Sequence, residues 1–369
     1  MTDDPIRRIA INTGGGDAPG LNAVIRAAVL AALRQGWECV GIRDGYNGLL
    51  DPDMYDEGGL MPLGRREVRG ITHLGGTIIG TTNRGDPLAY PVRREDGTVI
   101  EVDRSEELVA AFGEAGIDAL IAIGGDGSMR IANRLHELGL PVIGVPKTID
   151  NDLEGTSVTF GFDTAVSFAT ECIDRLHTTA ESHDRLMVVE VMGRYAGWIA
   201  LHAGLAGSAD AILIPEIPYD LESVAAKIAA REAAGQHFSI VVVAEGALPK
   251  GGARSIIEDE PGRAKRLGGI GQQVADQLAE ITGKETRTVV LGHLLRGGGP
   301  ITRDRILSLR FGAAAIRALC EGHAGCMVAL DPPDVRYVPL ERVTGRMKCV
   351  PIDSDTVRTV RDLGVSLGD

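Results

Sequence analysis

Short runs of apolar, mostly β-branched residues alternate along this chain with stretches of helical period. Arg8–Asn12 reads as a strand, Ala23–Leu33 as a helix with Gly36 just past its end, and Cys39–Ile42 as the next strand. Glu106–Glu114 is helical and leads into a strand over Ile117–Ile123. Ile131–Leu138 is a helix closed by Gly139, and the apolar run Pro141–Val145 follows. Further strands are expected at Met187–Val191, Ala211–Ile214, Ile240–Ala244 and Thr288–Leu291, with a helix over Asp304–Cys320. Strands that alternate with helices form parallel sheets with helical crossovers, so the fold class is α/β. Two polar stretches interrupt the alternation. Thr82–Arg104 reads as a surface excursion of hairpin type, and Glu258–Arg266 as a charged loop before a helix. There is no internal repeat and no low-complexity segment.

Composition refines this picture. At 369 residues the chain has room for two domains, and 44% hydrophobic residues supply a sizeable core. Aromatics make up only 4%, so aliphatic side chains must fill it. Glycine is abundant at 49 residues, and many sit in pairs or triplets after apolar runs, which points to tight strand-to-helix turns. A net charge of -13 argues against nucleic acid or an anionic membrane as the main partner, although arginines gathered in one cleft could still take an anionic small molecule. The five cysteines, Cys39, Cys172, Cys320, Cys326 and Cys349, form no C-x-x-C pair. Their odd number fits reduced thiols in a cytoplasmic protein. Met1–Arg8 lacks an apolar signal core, and no apolar run approaches the roughly 20 residues that span a bilayer.

Candidate chemistry concentrates where strands end. Lys147-Thr148-Ile149-Asp150-Asn151-Asp152 packs two carboxylates, an amide, a hydroxyl and a lysine directly after an apolar run. Ligands of open α/β sheets bind at that carboxyl edge. A carboxylate there can serve as general base in phosphoryl transfer, and in an extended chain Asp150 and Asp152 would point the same way. The bland alternative is a polar turn that satisfies its own backbone. Gly124-Gly125-Asp126-Gly127-Ser128 opens a helix after another buried strand, and Asp126 reads either as a Mg²⁺ ligand or as an acidic N-cap. Thr13-Gly14-Gly15-Gly16-Asp17 precedes the first helix and reads as a phosphate cradle or simply a tight turn. It is neither a P-loop nor a dinucleotide fingerprint. Met192-Gly193-Arg194 follows a third strand, where an arginine suits a sugar phosphate or a developing phosphoryl charge, against the alternative of an ordinary surface arginine. His293 and Arg296, among three glycines, close another strand.

Taken in order, GGGDAPGLNAVIR, GGT with GTTNR, GGDGS, PKTIDND, GFDTA, the Ser182–Arg185 stretch, VVEVMGR, IPE, AEGA and VLGHLLRGG resemble the phosphofructokinase family over nearly the whole chain. The resemblance implies two Rossmann-like parallel-sheet domains. Residues 1–161 with about 295–345 would form a larger phosphoryl-donor domain, and 162–294 with about 346–369 a smaller sugar-phosphate domain. It implies Mg²⁺-dependent transfer of a phosphoryl group from ATP, or from pyrophosphate, to the 1-hydroxyl of fructose 6-phosphate. It also implies a homotetramer, or a homodimer, and no nucleic-acid or membrane partner.

Carried over residue by residue, Asp150 resembles the catalytic base, and Thr148 and Asp152 would orient the hydroxyl and the metal. Arg84 would steady the transferring phosphoryl and Arg194 its charge. Gly15, Gly16, Tyr46, Gly125, Asp126, Gly127 and Ser128 would border the donor, with Asp126 at the metal. Met192, Gly193, Glu245, His293 and Arg296 would line the sugar phosphate, while Arg185 and Arg287 would reach the 6-phosphate in a neighbouring subunit's site.

The donor turns on two positions. A carboxylate at Gly127 would crowd and repel the α-phosphate of ATP, so glycine there favours ATP. Lys147 resembles pyrophosphate-dependent members instead. Steric exclusion is harder to evade than an added cation, and ATP is the expectation. The alternatives are a pyrophosphate-dependent enzyme, a NAD or lipid kinase that shares only the Gly-Gly-Asp-Gly loop, and a non-catalytic regulatory subunit. On the first helix Arg26 is present, but Leu30 stands where regulated relatives carry a second arginine, so control by ADP or phosphoenolpyruvate is expected to be weak or absent.

Overall fold

The computed structural model describes residues 6–94, 96–253, 256–258 and 266–369. The elements begin with β1 (Arg8–Thr13), α1 (Leu21–Arg34), β2 (Glu38–Ile42), α2 (Asn47–Leu50), β3 (Leu60–Pro62), β4 (Tyr90–Arg93) and β5 (Val99–Val102). They continue through α3 (Ser105–Glu114), β6 (Ala119–Gly124), α4 (Asp126–Glu137), β7 (Val142–Pro146), α5 (Phe162–Ser182), β8 (Leu186–Val191), α6 (Trp198–Ala206) and β9 (Ala211–Leu213). Next come α7 (Leu221–Ala233), β10 (Ser239–Ala244), β11 (Ile256–Glu258), β12 (Arg266–Leu267), α8 (Ile270–Thr282) and β13 (Thr286–Val290). The chain closes with α9 (Thr302–Cys320), β14 (Cys326–Asp331), β15 (Asp334–Pro339), α10 (Leu340–Val343) and α11 (Asp355–Asp362).

The chain divides into two compact units. Unit 1 holds the chain through Thr148, with Leu153–Gly161 and Arg296–Met347. Unit 2 holds Ile149–Asp152, Phe162–Leu295 and Lys348–Asp369.

Unit 1 is built on a seven-stranded sheet of order β15-β14-β7-β6-β1-β2-β3. Its five middle strands are parallel, and the antiparallel β15 and β3 finish the edges. Every residue of β6 and β7 is buried, which is why their sequences are continuous apolar runs without alternation. Leu108, Phe112, Leu120, Leu135 and Val142 are among the residues that form the core on one face. On the other face α1 lies close along α9. A Cβ on Gly312 would sit 2.5 Å from the Val24 carbonyl oxygen, so only glycine permits that approach. The Thr82–Arg104 excursion does contain a hairpin, β4 paired with β5.

Unit 2 carries a four-stranded parallel sheet, β13-β8-β10-β9. Its core is aliphatic, with Leu186, Val188, Ile228, Val241, Val243 and Leu278 packed together. The C-terminal tail extends the sheet beside β9, where Ile212 N–H donates to the Ser366 carbonyl at 2.8 Å. The charged stretch Glu258–Arg266 lies mostly outside the described residues. Its ends, β11 and β12, pair antiparallel, and α8 follows as expected.

Candidate functional site

At the carboxyl edge of unit 1, β1, β6 and β7 end side by side, with Thr13 in register with Ile123 and Gly124 with Pro146. The three loops that carry Gly14–Gly16, Gly125–Ser128 and Lys147–Thr148 therefore emerge together. Their backbones are cross-bonded. Gly14 N–H donates to the Ile123 carbonyl at 2.9 Å, and Lys147 N–H to the Gly124 carbonyl at 2.9 Å. The Ser128 hydroxyl fills the space beside two glycines, for a Cβ would sit 2.6 Å from its Oγ at Gly14 and 2.0 Å at Gly124. Gly15 adopts the left-handed φ of 76°.

Two cations are tied to this loop. The buried Lys147 donates its Nζ proton to the Gly16 carbonyl. Arg296, expected at the sugar phosphate, donates to the Asp17 carbonyl at 3.2 Å. A Cβ at Gly16 would lie 2.7 Å from its Nη1. Thr81 and Thr82 run alongside, since Thr81 Oγ1 donates to the Gly15 carbonyl at 2.6 Å and Gly15 N–H to the Thr82 carbonyl at 3.1 Å. Arg84 stands exposed just beyond. Tyr46 caps α2 and is buried, and burial together with the Asp86 carboxylate pushes its phenol well above its ordinary pKa.

Asp126 is the first residue of α4 rather than its cap. Gly125 holds the N-cap in extended geometry with no side-chain bond, which corrects the N-cap alternative. The Asp126 carboxylate is exposed and accepts Gly345 N–H at 3.3 Å. Gly127 has an ordinary φ, and a Cβ there would meet nothing within 4 Å. Neither backbone conformation nor packing requires glycine at this position. The helix itself starts five residues before the Ile131 expected from periodicity, because Asp126-Gly127-Ser128 carries no apolar period.

Asp150 lies in a turn, not an extended segment. Asn151 takes a left-handed φ of 52°, a conformation asparagine tolerates better than most residues, so the period-two argument that aligned Asp150 with Asp152 does not hold. The buried Asn151 accepts Lys348 Nζ at 2.7 Å through its Oδ1, and the Asp152 carbonyl accepts Lys348 N–H at 2.9 Å. In unit 1 the Thr148 carbonyl accepts the Thr159 hydroxyl at 2.7 Å.

The carboxyl edge of unit 2 gathers Met192, Gly193 and Arg194 after β8, Glu245 after β10, and His293 after β13. Glu245 N–H donates to the Val191 carbonyl at 2.9 Å and Gly246 N–H to the Gly193 carbonyl at 3.1 Å, locking two of these loops together. Gly193 has φ 142°, and a Cβ on Gly246 would sit 2.0 Å from the Arg194 carbonyl oxygen. The Arg194 guanidinium lies 5.8 Å from the Tyr195 ring centroid, and His293 is exposed.

Arg185 and Arg287 are at the opposite end of the same strands. Arg185 immediately precedes β8, and Arg287 is the second residue of β13, whose Thr286 is in register with Leu186. Both guanidinium groups pair with Glu285, Arg185 at 2.9 Å. The bond from Arg185 lowers the Glu285 pKa below its ordinary value. From Arg287 to Val290, the last residue of β13, the strand spans roughly 10 Å at about 3.3 Å per residue, and His293 lies beyond it in the 3-10 turn Gly292–Arg296. Glu216, the acid of the IPE motif to which no role was attached, and Lys348, which lies in none of the motifs, brace this unit. Glu216 accepts Gly197 N–H at 3.0 Å and Val350 N–H at 2.8 Å, and Lys348 holds the Asn151 turn. Lys348 stands in no periodic or glycine-rich setting that would mark it.

Residues 8–319 match the family model described as Phosphofructokinase. This chain belongs to the phosphofructokinase family. It is 54% identical over 363 residues, 98% of each chain, to a protein of Chloroflexus aurantiacus named ATP-dependent 6-phosphofructokinase. It is 49% identical over 349 residues to the pyrophosphate–fructose 6-phosphate 1-phosphotransferase of Amycolatopsis mediterranei, covering 94% of this chain and 97% of that one. Among solved structures, the Pichia pastoris phosphofructokinase in the T-state superposes with a TM-score of 0.78 at 32% identity, over 92% of this chain and 35% of that one. The α/β architecture is thus that of a phosphofructokinase. Among the described residues, no helix is long and apolar enough to cross a membrane.

Proposed function

We propose that this phosphofructokinase transfers the γ-phosphoryl group of ATP to the 1-hydroxyl of fructose 6-phosphate. The observation that carries the donor choice is Gly127. It is a glycine that neither conformation nor packing explains, in the first turn of α4, facing open space. Glycine costs about 1 kcal/mol relative to alanine inside a helix, so its value here is the room it leaves for a nucleotide's phosphates. Relatives named ATP-dependent 6-phosphofructokinase, at 46% to 54% identity over nearly the full chain, support the same reading.

In this reading the donor phosphates lie against the Gly15–Gly16 loop and the N-terminus of α4, where free N–H groups and the positive end of the helix dipole favour anions. Arg296 brings its charge to that loop, Tyr46 and Ser128 border it, and Arg84 steadies the transferring group. The sugar lies against Met192, Gly193, Glu245 and His293, with Thr148 and Asp152 orienting its reacting end. The Asp150 carboxylate accepts the proton of the 1-hydroxyl as its oxygen bonds to phosphorus and the bond to the ADP oxygen breaks, while Arg194 stabilises the charge on the phosphoryl oxygens.

Mg²⁺ is held by one or two carboxylates and otherwise by water and phosphate oxygens. The exposed Asp126, in the first turn of α4, fits that need. When bound, the ion neutralises donor phosphate charge.

Arg185 and Arg287 lie a full strand length from the sugar residues of their own unit, which supports a role in a neighbouring subunit's site and a homotetramer or homodimer. Cytoplasmic residence is supported by thiols suited to a reduced state, with the Cys39 pKa pushed up to about 12 by burial.

The test is product identification. Fructose 6-phosphate, ATP and Mg²⁺ should yield fructose 1,6-bisphosphate and ADP by phosphorus NMR, and absence of the bisphosphate would overturn the reading. A pyrophosphate donor is the second reading, favoured by Lys147 on the glycine loop and by the relative that uses that name.

A further inference from the structure

We infer that Lys348 is a positioning residue for the Asp150 turn, acting through Asn151. This rests on the assignment of Asp150 as base. Three observations within unit 2 carry it. Asn151 is 4% exposed and holds a left-handed backbone conformation directly between the two carboxylates of the turn. Lys348 grips that residue and the next by two separate bonds, Nζ to Asn151 Oδ1 at 2.7 Å and N–H to the Asp152 carbonyl at 2.9 Å. Lys348 is in turn fixed by Trp198, whose indole N–H donates to the Lys348 carbonyl at 2.8 Å and whose ring centroid lies 5.7 Å from the ammonium group.

A charge-assisted bond is shorter and stronger than a neutral one, and an indole face attracts a cation. The ammonium group therefore spans a rigid aromatic anchor on α6 and the side chain of the residue that sets the turn's direction. Further along, Val350 N–H donates to Glu216, which also accepts Gly197 N–H, so the segment after Lys348 is pinned beside the start of α6 as well. A short turn carrying a general base has no helix or strand to hold it. The C-terminal segment supplies that support, and the angle at which Asp150 meets a hydroxyl depends on it.

A misplacement of about 1 Å in a reacting group can cost about 10²-fold in rate. Lys348→Met should therefore lower kcat about 10- to 100-fold, with KM for fructose 6-phosphate and ATP changed less than about three-fold. Lys348→Arg, which keeps a cation and donors, should recover most of the loss. Asn151→Gly removes the acceptor and keeps the left-handed φ accessible, so it should reproduce the fall in kcat. The double variant Lys348→Met/Asn151→Gly should fall no further than either single variant, because both remove one interaction.

A Lys348→Met enzyme with kcat within two-fold of the native value would overturn the inference, as would a loss confined to KM or full additivity in the double variant. If Lys348→Met does not fold, native turnover in Asn151→Gly overturns it equally. Asp150→Asn separates the two levels. Native turnover in that variant removes the base assignment itself, whereas an inactive Asp150→Asn beside a fully active Lys348→Met removes only the role of Lys348.

Discussion

The two sheet edges that carry the candidate chemistry are built from different materials. In unit 1 the loops after β1 and β6 present backbone. Gly127 meets open space, Gly14, Gly16 and Gly124 let the Ser128 and Arg296 side chains come close, and Lys147 and Arg296 are tied to main-chain carbonyls of the loop after β1. In unit 2 the loops after β8, β10 and β13 present side chains: Met192, Arg194, Glu245 and His293. The difference matches what each partner would need. A polyphosphate offers equivalent oxygens, which repeated amides and a helix terminus can cradle. A sugar phosphate offers hydroxyls and one dianion at fixed positions, which directed side chains can distinguish.

The sharpest way to break this contrast is to remove the group assigned to the chemistry itself. Asp150→Asn should lower kcat by about 10²- to 10⁴-fold while leaving KM for fructose 6-phosphate within a few-fold, measured by steady-state kinetics. Near-native turnover would show that the turn does not supply the base. Next in size is Gly127→Asp, which puts a carboxylate into the open space of unit 1. Like charges brought together cost several kcal/mol, so kcat/KM for ATP should fall about 10²-fold or more. An unchanged value would mean that the space is not where the nucleotide lies.

The amino end of the unit 2 strands gives a smaller and differently shaped effect. Arg287→Ala removes a charged hydrogen-bond donor and should raise KM for fructose 6-phosphate about 10- to 100-fold with kcat largely kept, since charged bonds are worth about 1.5–3 kcal/mol. A fall in kcat with constant KM would contradict a binding role. Gly127→Ala sharpens the contrast on the stability side. A methyl group there meets nothing, so thermal unfolding should show a gain of about 0.5–1 kcal/mol even as ATP use declines. A destabilised variant would mean that glycine is needed by the fold after all. The smallest expected effect is regulatory. Arg26 on α1 donates to the Val68 carbonyl at 2.7 Å, and Leu30 follows one helical turn later, so ADP and phosphoenolpyruvate should shift the fructose 6-phosphate curve little. A sigmoidal curve relieved by ADP would count against this.

Much of this architecture is legible in the sequence alone. The buried parallel strands β1, β6, β7, β8 and β10 announce themselves as β-branched runs, and the polar clusters at their ends fall at the carboxyl edges as the topology requires. What escaped has physical causes. Helix α6, Trp198–Ala206, is apolar nearly all round because it is buried, so it shows no amphipathic period. The start of α4 is masked by Gly-Ser chemistry that serves the loop rather than the helix. The direction of Asp150 could not be read because one residue, Asn151, leaves the extended region and undoes the alternation. Its partner Lys348 lies 197 residues away in sequence, and no local pattern connects them.

The most direct test of the central claim is the ratio of kcat/KM for ATP to that for pyrophosphate, measured in parallel with saturating fructose 6-phosphate and Mg²⁺. A ratio far above one is the expected result and would make Gly127 the position that sets the donor. A ratio below one would contradict the account and give that role to Lys147.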